Sequence, residues 1–193
     1  MEFLETFLKT GIINTKHTYH SYIKDYYDLL FSKNNNKKIK ILELGVRDRS
    51  SLHIWENWFI NSEIYGIDIH GFYSKHIGAN NNTIAVTIVD GYSQPALDLY
   101  EDNFFDYIID DGPHTIDSQQ YSITHWYKKL KTGGKLIIED IGCRDNVPNP
   151  PESSDYALEQ LIKVIPENTI YKVFDLRYRK PGQYDSIILE INK

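Results

Sequence analysis

At 193 residues the chain can bury a full hydrophobic core without disulfide or metal staples, and its length predicts one domain. Twenty-seven acids against 21 bases give a formal charge of −6, and no basic stripe runs along it, which argues against a nucleic-acid binder. The single cysteine, Cys143, excludes an internal disulfide and fits a reducing, cytosol-like compartment. No window is apolar enough to span a bilayer, and the opening "MEFLETFLKTG" lacks the basic flank of a signal peptide.

Phe3, Leu4, Phe7 and Leu8 recur at helical spacing and predict a short amphipathic helix over 2–9. Residues 20–32 predict a second, with Tyr22, Ile23, Tyr26, Tyr27, Leu29 and Leu30 on a broad apolar face. Together they suggest a helical cap over 1–36, ahead of a core over 37–193 in the same domain. From Ile39 the rhythm changes. Runs that are apolar on both faces recur at 39–44, 63–69, 83–89, 105–110 and 135–140, as buried strands of a parallel sheet do. Between the first two, Leu52, Trp55, Trp58 and Phe59 share a helical face behind a Ser50–Ser51 cap. Ile116, Ile123, Trp126, Tyr127 and Leu130 mark another helix, stopped by Gly133–Gly134. Residues 141–154, rich in Pro, Asn and Ser, read as a loop, and a helix over about 155–165 follows. Two closing strands, 169–178 and 184–192, are joined by a Pro-Gly turn into an antiparallel hairpin. The fold class is α/β: an open, mostly parallel sheet with right-handed crossovers and helices on both faces.

Nearly every predicted strand ends in an acid: Glu43, Asp68, Asp90, Asp110 with Asp111, and Glu139 with Asp140. Ligands of open α/β sheets bind beyond the carboxyl ends of the strands. Seven carboxylates along that edge would repel one another unless a cation or a donor-rich ligand met them. The loop "ELGVRDRSS" has one glycine and not the G-x-G-x-x-G fingerprint, which disfavours an NAD-dependent dehydrogenase. Asp68, about twenty residues past Gly45, stands where an acid accepts hydrogen bonds from ribose hydroxyls, and equally where an acid caps a helix. His114 follows Asp111 across a Gly-Pro turn. It reads as a general base, since an imidazole titrates near working pH, or as a histidine that merely flanks a helix.

Three segments carry a resemblance: "DDGPH" at 110–114, "GGKLIIEDI" one strand later at 133–141, and "NTKHTYHSYIKDYY" at 14–27. With them, over about residues 10 to 190, the chain resembles class I S-adenosylmethionine-dependent methyltransferases. Within that group it is similar to the magnesium-dependent sugar O-methyltransferases of the mycinamicin and tylosin type, and to cephalosporin-hydroxylase-like proteins. The E-x-G loop, Glu43 to Gly45, is common to the broad superfamily. The chain is shorter than the macrolide enzymes, so its acceptor is expected to differ.

The resemblance implies a Rossmann-like class I methyltransferase sheet, with S-adenosyl-L-methionine and Mg²⁺ as cofactors. Glu43 and Gly45 would lie beneath the methionine part of the cofactor, Asp68 at its ribose, and Asp90 with Tyr92 at its adenine. Asp110 would turn to the cofactor side. Asp111, Glu139 and Asp140 would hold Mg²⁺, directly or through water, and His114 would be the base. Lys16, His20 and Tyr22 would border the cofactor or the acceptor. The implied activity is O-methylation of a hydroxyl on a sugar, nucleotide-sugar or glycoside. Catechol-type O-methylation and a non-catalytic module that keeps the cofactor fold are the alternatives. The loop at 141–154 is expected to form a lid or acceptor wall. Arg177 or Arg179 would meet a nucleotide-sugar phosphate, or stand on a solvated hairpin tip. No nucleic acid or membrane partner is expected, the location is cytoplasmic, and the aromatic N-terminal helices could pack against a neighbour in a homo-oligomer.

Overall fold

The computed structural model describes residues 2–32, 37–71, 74–142, 151–179 and 184–193. Two short helices open the chain, α1 (Phe3–Thr10) and α2 (Thr15–Thr18). A π-helical turn over Ile23–Tyr27 runs on into α3 (Asp28–Phe31). α1 stops at Gly11, whose φ of 68° is the left-handed cap that glycine adopts without a Cβ clash. Strand and helix then alternate: β1 (Lys40–Leu44), α4 (Ser50–Trp58), β2 (Glu63–Asp68), β3 (Ser74–Ile77), β4 (Thr83–Ile88), α5 (Gln94–Leu97), β5 (Phe105–Asp110) and α6 (Ile116–Thr124). β6 (Leu130–Ile138), α7 (Pro151–Ile162), β7 (Tyr171–Asp175) and β8 (Ile187–Asn192) complete the order. Among the described residues no helix is long and apolar enough to cross a membrane.

The strands form one sheet in the order β3-β4-β2-β1-β5-β6-β8-β7. β4, β2, β1, β5 and β6 run parallel. β3 pairs antiparallel to β4 at one edge, and the expected hairpin β7–β8 adds antiparallel to β6 at the other. Register brings the strand ends level: Leu44 lies beside both Ile67 and Asp110, and Asp110 lies beside Ile138. The strand order reverses between β1 and β5, and a crevice opens at such a switch point.

Side chains alternate across a strand, and this sorts the core into two layers. Ile41, Ile109, Ile137 and Ile188 join the buried side chains of α1, α3 and α4 on one face. Leu42, Ile108, Leu136, Ile138 and Leu189 join those of α5, α6 and α7 on the other. Aromatic rings fasten the N-terminal helices to α4: Phe3 stacks on Trp55 at 6.1 Å, and Phe31 meets Trp55 and Phe59 edge-on. Each such ring withdrawn from water stabilises the fold by roughly 1.5–3 kcal/mol.

The structure departs from the sequence reading at four places. α6 ends at Thr124, and Gly133–Gly134 lie inside β6 instead of stopping a helix. Leu130 already pairs with Phe105, and the backbone irregularity that follows needs glycine: a Cβ on Gly134 would sit 3.0 Å from the Asp106 carbonyl oxygen. Ser50 and Ser51 do not cap α4. Asp48 does that work, its Oδ1 accepting from the Ser50 N–H at 3.0 Å. β3 spans "SKHI", a stretch with one apolar residue, which an edge strand tolerates. α7 begins at Pro151, a residue suited to the first helical turn, several residues before the expected start. Cys143 and residues 143–150 of the expected lid lie outside the described residues.

Candidate active site at the carboxyl edge of the sheet

Strand alternation also sorts the acids. Glu43 shares the parity of Ile41 and turns toward α4, where its Oε2 accepts from Trp55 Nε1 at 2.8 Å. Asp110 shares the parity of Ile108 and turns toward α6, accepting from Ser122 Oγ at 2.6 Å and from the Tyr92 hydroxyl at 2.5 Å. The ladder continues one residue past the strands. The Asp111 N–H donates to the Leu44 carbonyl and the Glu139 N–H to the Asp110 carbonyl, each at 3.0 Å. Asp111 and Glu139 thereby fall on the Glu43 side, and Lys16 enters there. The Asn14 side chain caps α2 by accepting from the Lys16 N–H at 2.8 Å. The Lys16 side chain, 2% exposed, then runs in among the three acids. Its Nζ donates to Glu139 Oε2 and, at 2.6 Å, to Asp111 Oδ2, and it lies 3.3 Å from Glu43 Oε1. The Tyr27 hydroxyl donates to the other oxygen of Glu139.

A second cluster closes on the opposite side of Asp111. One ligand atom from each of Asp111, His114 and Asp140 lies within 4.8 Å of the others. His114 Nε2 is 3.7 Å from Asp111 Oδ1 and 3.7 Å from Asp140 Oδ2. His114 reaches this place because Gly112–Pro113 turns the chain. His114 and Asp140 hold left-handed φ values of 60° and 53°, a conformation uncommon outside glycine that collects at functional sites. The Tyr22 hydroxyl donates to Asp140 Oδ1 at 2.7 Å, and His20 Nδ1 lies 3.5 Å from the same oxygen.

Beside this cluster a cavity of about 640 Å³ opens over the ends of β1, β2, β4 and β5. Gly45, Asp68, Asp90, Tyr92, His114 and Asp140 all border it. Gly45 has φ 84°, and a Cβ there would overlap the Asp111 carbonyl oxygen, so only glycine lets the β1 loop meet the 110–112 turn. Asp68 accepts from the Arg47 N–H at 2.7 Å and the His70 N–H at 2.8 Å, which fixes its carboxylate at the cavity rim. The volume suits a nucleoside-sized cofactor with an acceptor beside it.

The electrostatics of the two clusters differ. Burial pushes the Asp140 carboxyl up to about 6, with His20 opposing and Asp111 adding to the rise. Burial would lower the Lys16 ammonium, but Asp111, Glu139 and Glu43 outweigh it and hold it well above its ordinary value. Lys16 is therefore a permanent charge among its acids. Burial raises Glu139 and Glu43 as well, with Lys16 opposing in both. Lys16 reaches Asp111 through Oδ2, while Asp111 Oδ1 and Asp140 Oδ2 both face His114, and a divalent cation fits there: it relieves the part of the rise in Asp140 that Asp111 adds. Two carboxylates suit a hard cation such as Mg²⁺ or Mn²⁺, and an imidazole nearby extends the range to softer ions.

Of the residues expected at the cofactor, Gly45, Asp68, Asp90 and Tyr92 line the cavity, and so does His20. Glu43, Asp110, Lys16 and Tyr22 do not. Their polar ends turn inward, to Trp55, to Ser122 and Tyr92, to the three acids, and to Asp140 respectively. Glu139, expected at the metal, is also turned inward, with Lys16 and Tyr27 on its two oxygens. Among the described residues Asp111, His114 and Asp140 group together. Arg177 pairs with Asp155 and Asp175, and Arg179 with Asp25, so neither reaches the cavity. Thr15, Tyr19, Arg47, Ile69 and His70 line it unannounced. Ile69 and His70 directly follow Asp68, a position that the strand-end argument already marked.

No family model matches the chain. It is 28% identical over 127 residues to the mycinamicin VI 2''-O-methyltransferase of Micromonospora griseorubida, covering 60% of this chain and 30% of the relative. It is 27% identical over 125 residues to the demethylmacrocin O-methyltransferase of Streptomyces fradiae, covering 60% of this chain and 31% of the relative. The matched region is thus about a third of the length of these curated relatives. Among solved structures, the MycE methyltransferase from the mycinamycin biosynthetic pathway, in complex with Mg and SAH, superposes with a TM-score of 0.72. The identity is 21%, over 100% of this chain and 55% of that one. A putative rRNA-methylase from Clostridium thermocellum superposes at 0.61 with 15% identity, over 94% of this chain and 97% of that one. The chain has the class I methyltransferase fold. In this class I methyltransferase fold the cavity lies at the switch point between β1 and β5, and the Asp111–His114–Asp140 cluster lies beyond β5 and β6.

Proposed function

We propose that the chain is an S-adenosyl-L-methionine- and divalent-cation-dependent O-methyltransferase acting on a hydroxyl of a sugar, nucleotide-sugar or glycoside. The observation that carries this reading is the convergence of Asp111, His114 and Asp140 beside a cavity rimmed by Asp68. Similarity to two macrolide-sugar O-methyltransferases, and to a structure in complex with Mg and SAH, supports it. A formal charge of −6 favours a small-molecule acceptor over a nucleic acid.

When bound, the cofactor supplies a methyl electrophile and the cation supplies Lewis-acid stabilisation of a developing alkoxide. The chain's own residues do the rest. Asp68 accepts the ribose hydroxyls, while Asp90 and the Tyr92 ring wall the adenine end. Asp111 and Asp140 hold the cation, and Tyr22 fixes the Asp140 carboxylate from behind. His114 takes the acceptor's proton on Nε2. Nε2 lies 3.7 Å from Asp111 Oδ1 and 3.7 Å from Asp140 Oδ2, which sets the base beside the carboxylates that would hold the cation. The cavity holds donor and acceptor together, and orientation is the main service an in-line displacement needs.

The test is release of S-adenosylhomocysteine across a panel of nucleotide-sugars, glycosides and catechols, with Mg²⁺ and with EDTA. Turnover on a sugar hydroxyl, lost in EDTA, is the expected result. His114→Ala should abolish turnover while S-adenosylhomocysteine still binds. Turnover that ignores EDTA, or a fully active His114→Ala protein, would overturn the reading, and preference for catechols would move it to the alternative acceptor class.

A further inference from the structure

We propose that Lys16 is an internal counter-cation standing where a second divalent ion would otherwise bind, and that it keeps the site mononuclear. The inference deepens the reading of Asp111 and Asp140 as cation ligands and assigns a role to the buried lysine beside them.

The geometry is that of a two-cation site with one cation replaced. Asp111 is arranged as a bridging carboxylate: Oδ2 lies 2.6 Å from Lys16 Nζ, and Oδ1 faces the His114–Asp140 side at 3.7 Å from His114 Nε2. Around Nζ stand three oxygens, Asp111 Oδ2, Glu139 Oε2 and Glu43 Oε1. The outer oxygens of the two glutamates are pinned by Tyr27 and Trp55, so their inner oxygens are held toward one point. Glu43 Oε1 lies 3.3 Å from the ammonium. Glu43, Glu139 and Lys16 are all at most 2% exposed, so water does not neutralise the set.

Two buried carboxyls, Glu43 and Glu139, and the partly exposed Asp111 share this one ammonium. Without Lys16 the same oxygens become a hard-cation site, since Mg²⁺ and Mn²⁺ favour such oxygen ligands. With Lys16 present, its Nζ fills the centre and commits Glu139 and Glu43, leaving Asp111 and Asp140 to one ion. Lys16 is thus a positioning residue: it selects which carboxylates face the cation.

The experiment counts Mn²⁺ bound per folded chain by the loss of free-ion electron paramagnetic resonance signal. Lys16→Met should bind one ion more than the wild-type protein, and Lys16→Arg, which keeps a cation, should show the wild-type count. An equal count in Lys16→Met and wild type overturns the proposal. If Lys16→Met is unfolded in EDTA, refolding on addition of Mn²⁺ supports it, and failure to refold overturns it. A wild-type count of zero would sink the Asp111–Asp140 reading, yet the increment of one would still report on Lys16.

Discussion

Replacing Asp140 with Asn should stabilise the metal-free protein while removing its cation binding. Asp140 is 6% exposed, and burial moves its carboxyl from 3.8 to about 6, with Asp111 adding to the push. Between about pH 4 and pH 6 the folded state therefore keeps a proton that the unfolded state has released. Stability falls as pH rises through that window, and the whole penalty is present above pH 6. A displacement of that size corresponds to about 3 kcal/mol, at roughly 1.4 kcal/mol per tenfold change. Asparagine carries no charge, and its Oδ1 can still accept from the Tyr22 hydroxyl, now 2.7 Å from the same atom in Asp140. In EDTA at pH 8, Asp140→Asn should exceed the wild-type unfolding free energy by an amount on the order of 2–3 kcal/mol. At pH 4 the two proteins should converge. Urea unfolding followed by fluorescence of the buried Trp55, Trp58 and Trp126 measures both. A variant less stable than wild type at pH 8 would refute the reasoning, because the ionised carboxylate would then be a net support of the fold.

Two further substitutions probe the cavity. Gly45→Ala places a Cβ at φ 84° against the Asp111 carbonyl oxygen. The left-handed conformation alone costs about 1–2 kcal/mol, so urea unfolding should show a larger loss, and calorimetry should show weaker S-adenosylhomocysteine binding. Asp68→Ala removes a carboxylate set at the rim by two backbone donors. Charged hydrogen bonds contribute about 1.5–3 kcal/mol, so S-adenosylhomocysteine affinity should fall roughly 10- to 100-fold, with an unchanged affinity counting against Asp68 at the ribose.

The fold was largely legible because parallel strands are buried on both faces and read as continuous apolar runs. The central strands β1, β2, β4 and β5 each end within a residue of the runs that announced them. β3 and the start of β6 were not legible for the opposite reason. "SKHI" has almost no apolar signal, and Gly133–Gly134 look like a helix stop until Leu130 is seen paired with Phe105. Within the site, the acids at the strand ends could be read directly, since strand end is a property of local sequence. Their division into two groups could not. It depends on parity across the sheet and on Lys16, which meets Glu139 across 123 residues of chain. No local pattern says that a lysine in a four-residue helix will neutralise acids from three strands. Asp111 and Glu139 looked alike as metal ligands; in the structure Lys16 reaches both, and Tyr27 engages Glu139.

The most direct test of the central claim is a crystal structure grown with Mn²⁺ and S-adenosylhomocysteine, read by anomalous scattering. A single Mn²⁺ peak should lie between Asp111 and Asp140, within reach of His114, with the ribose hydroxyls on Asp68. A cavity filled by cofactor but with no anomalous peak at that cluster would contradict the account.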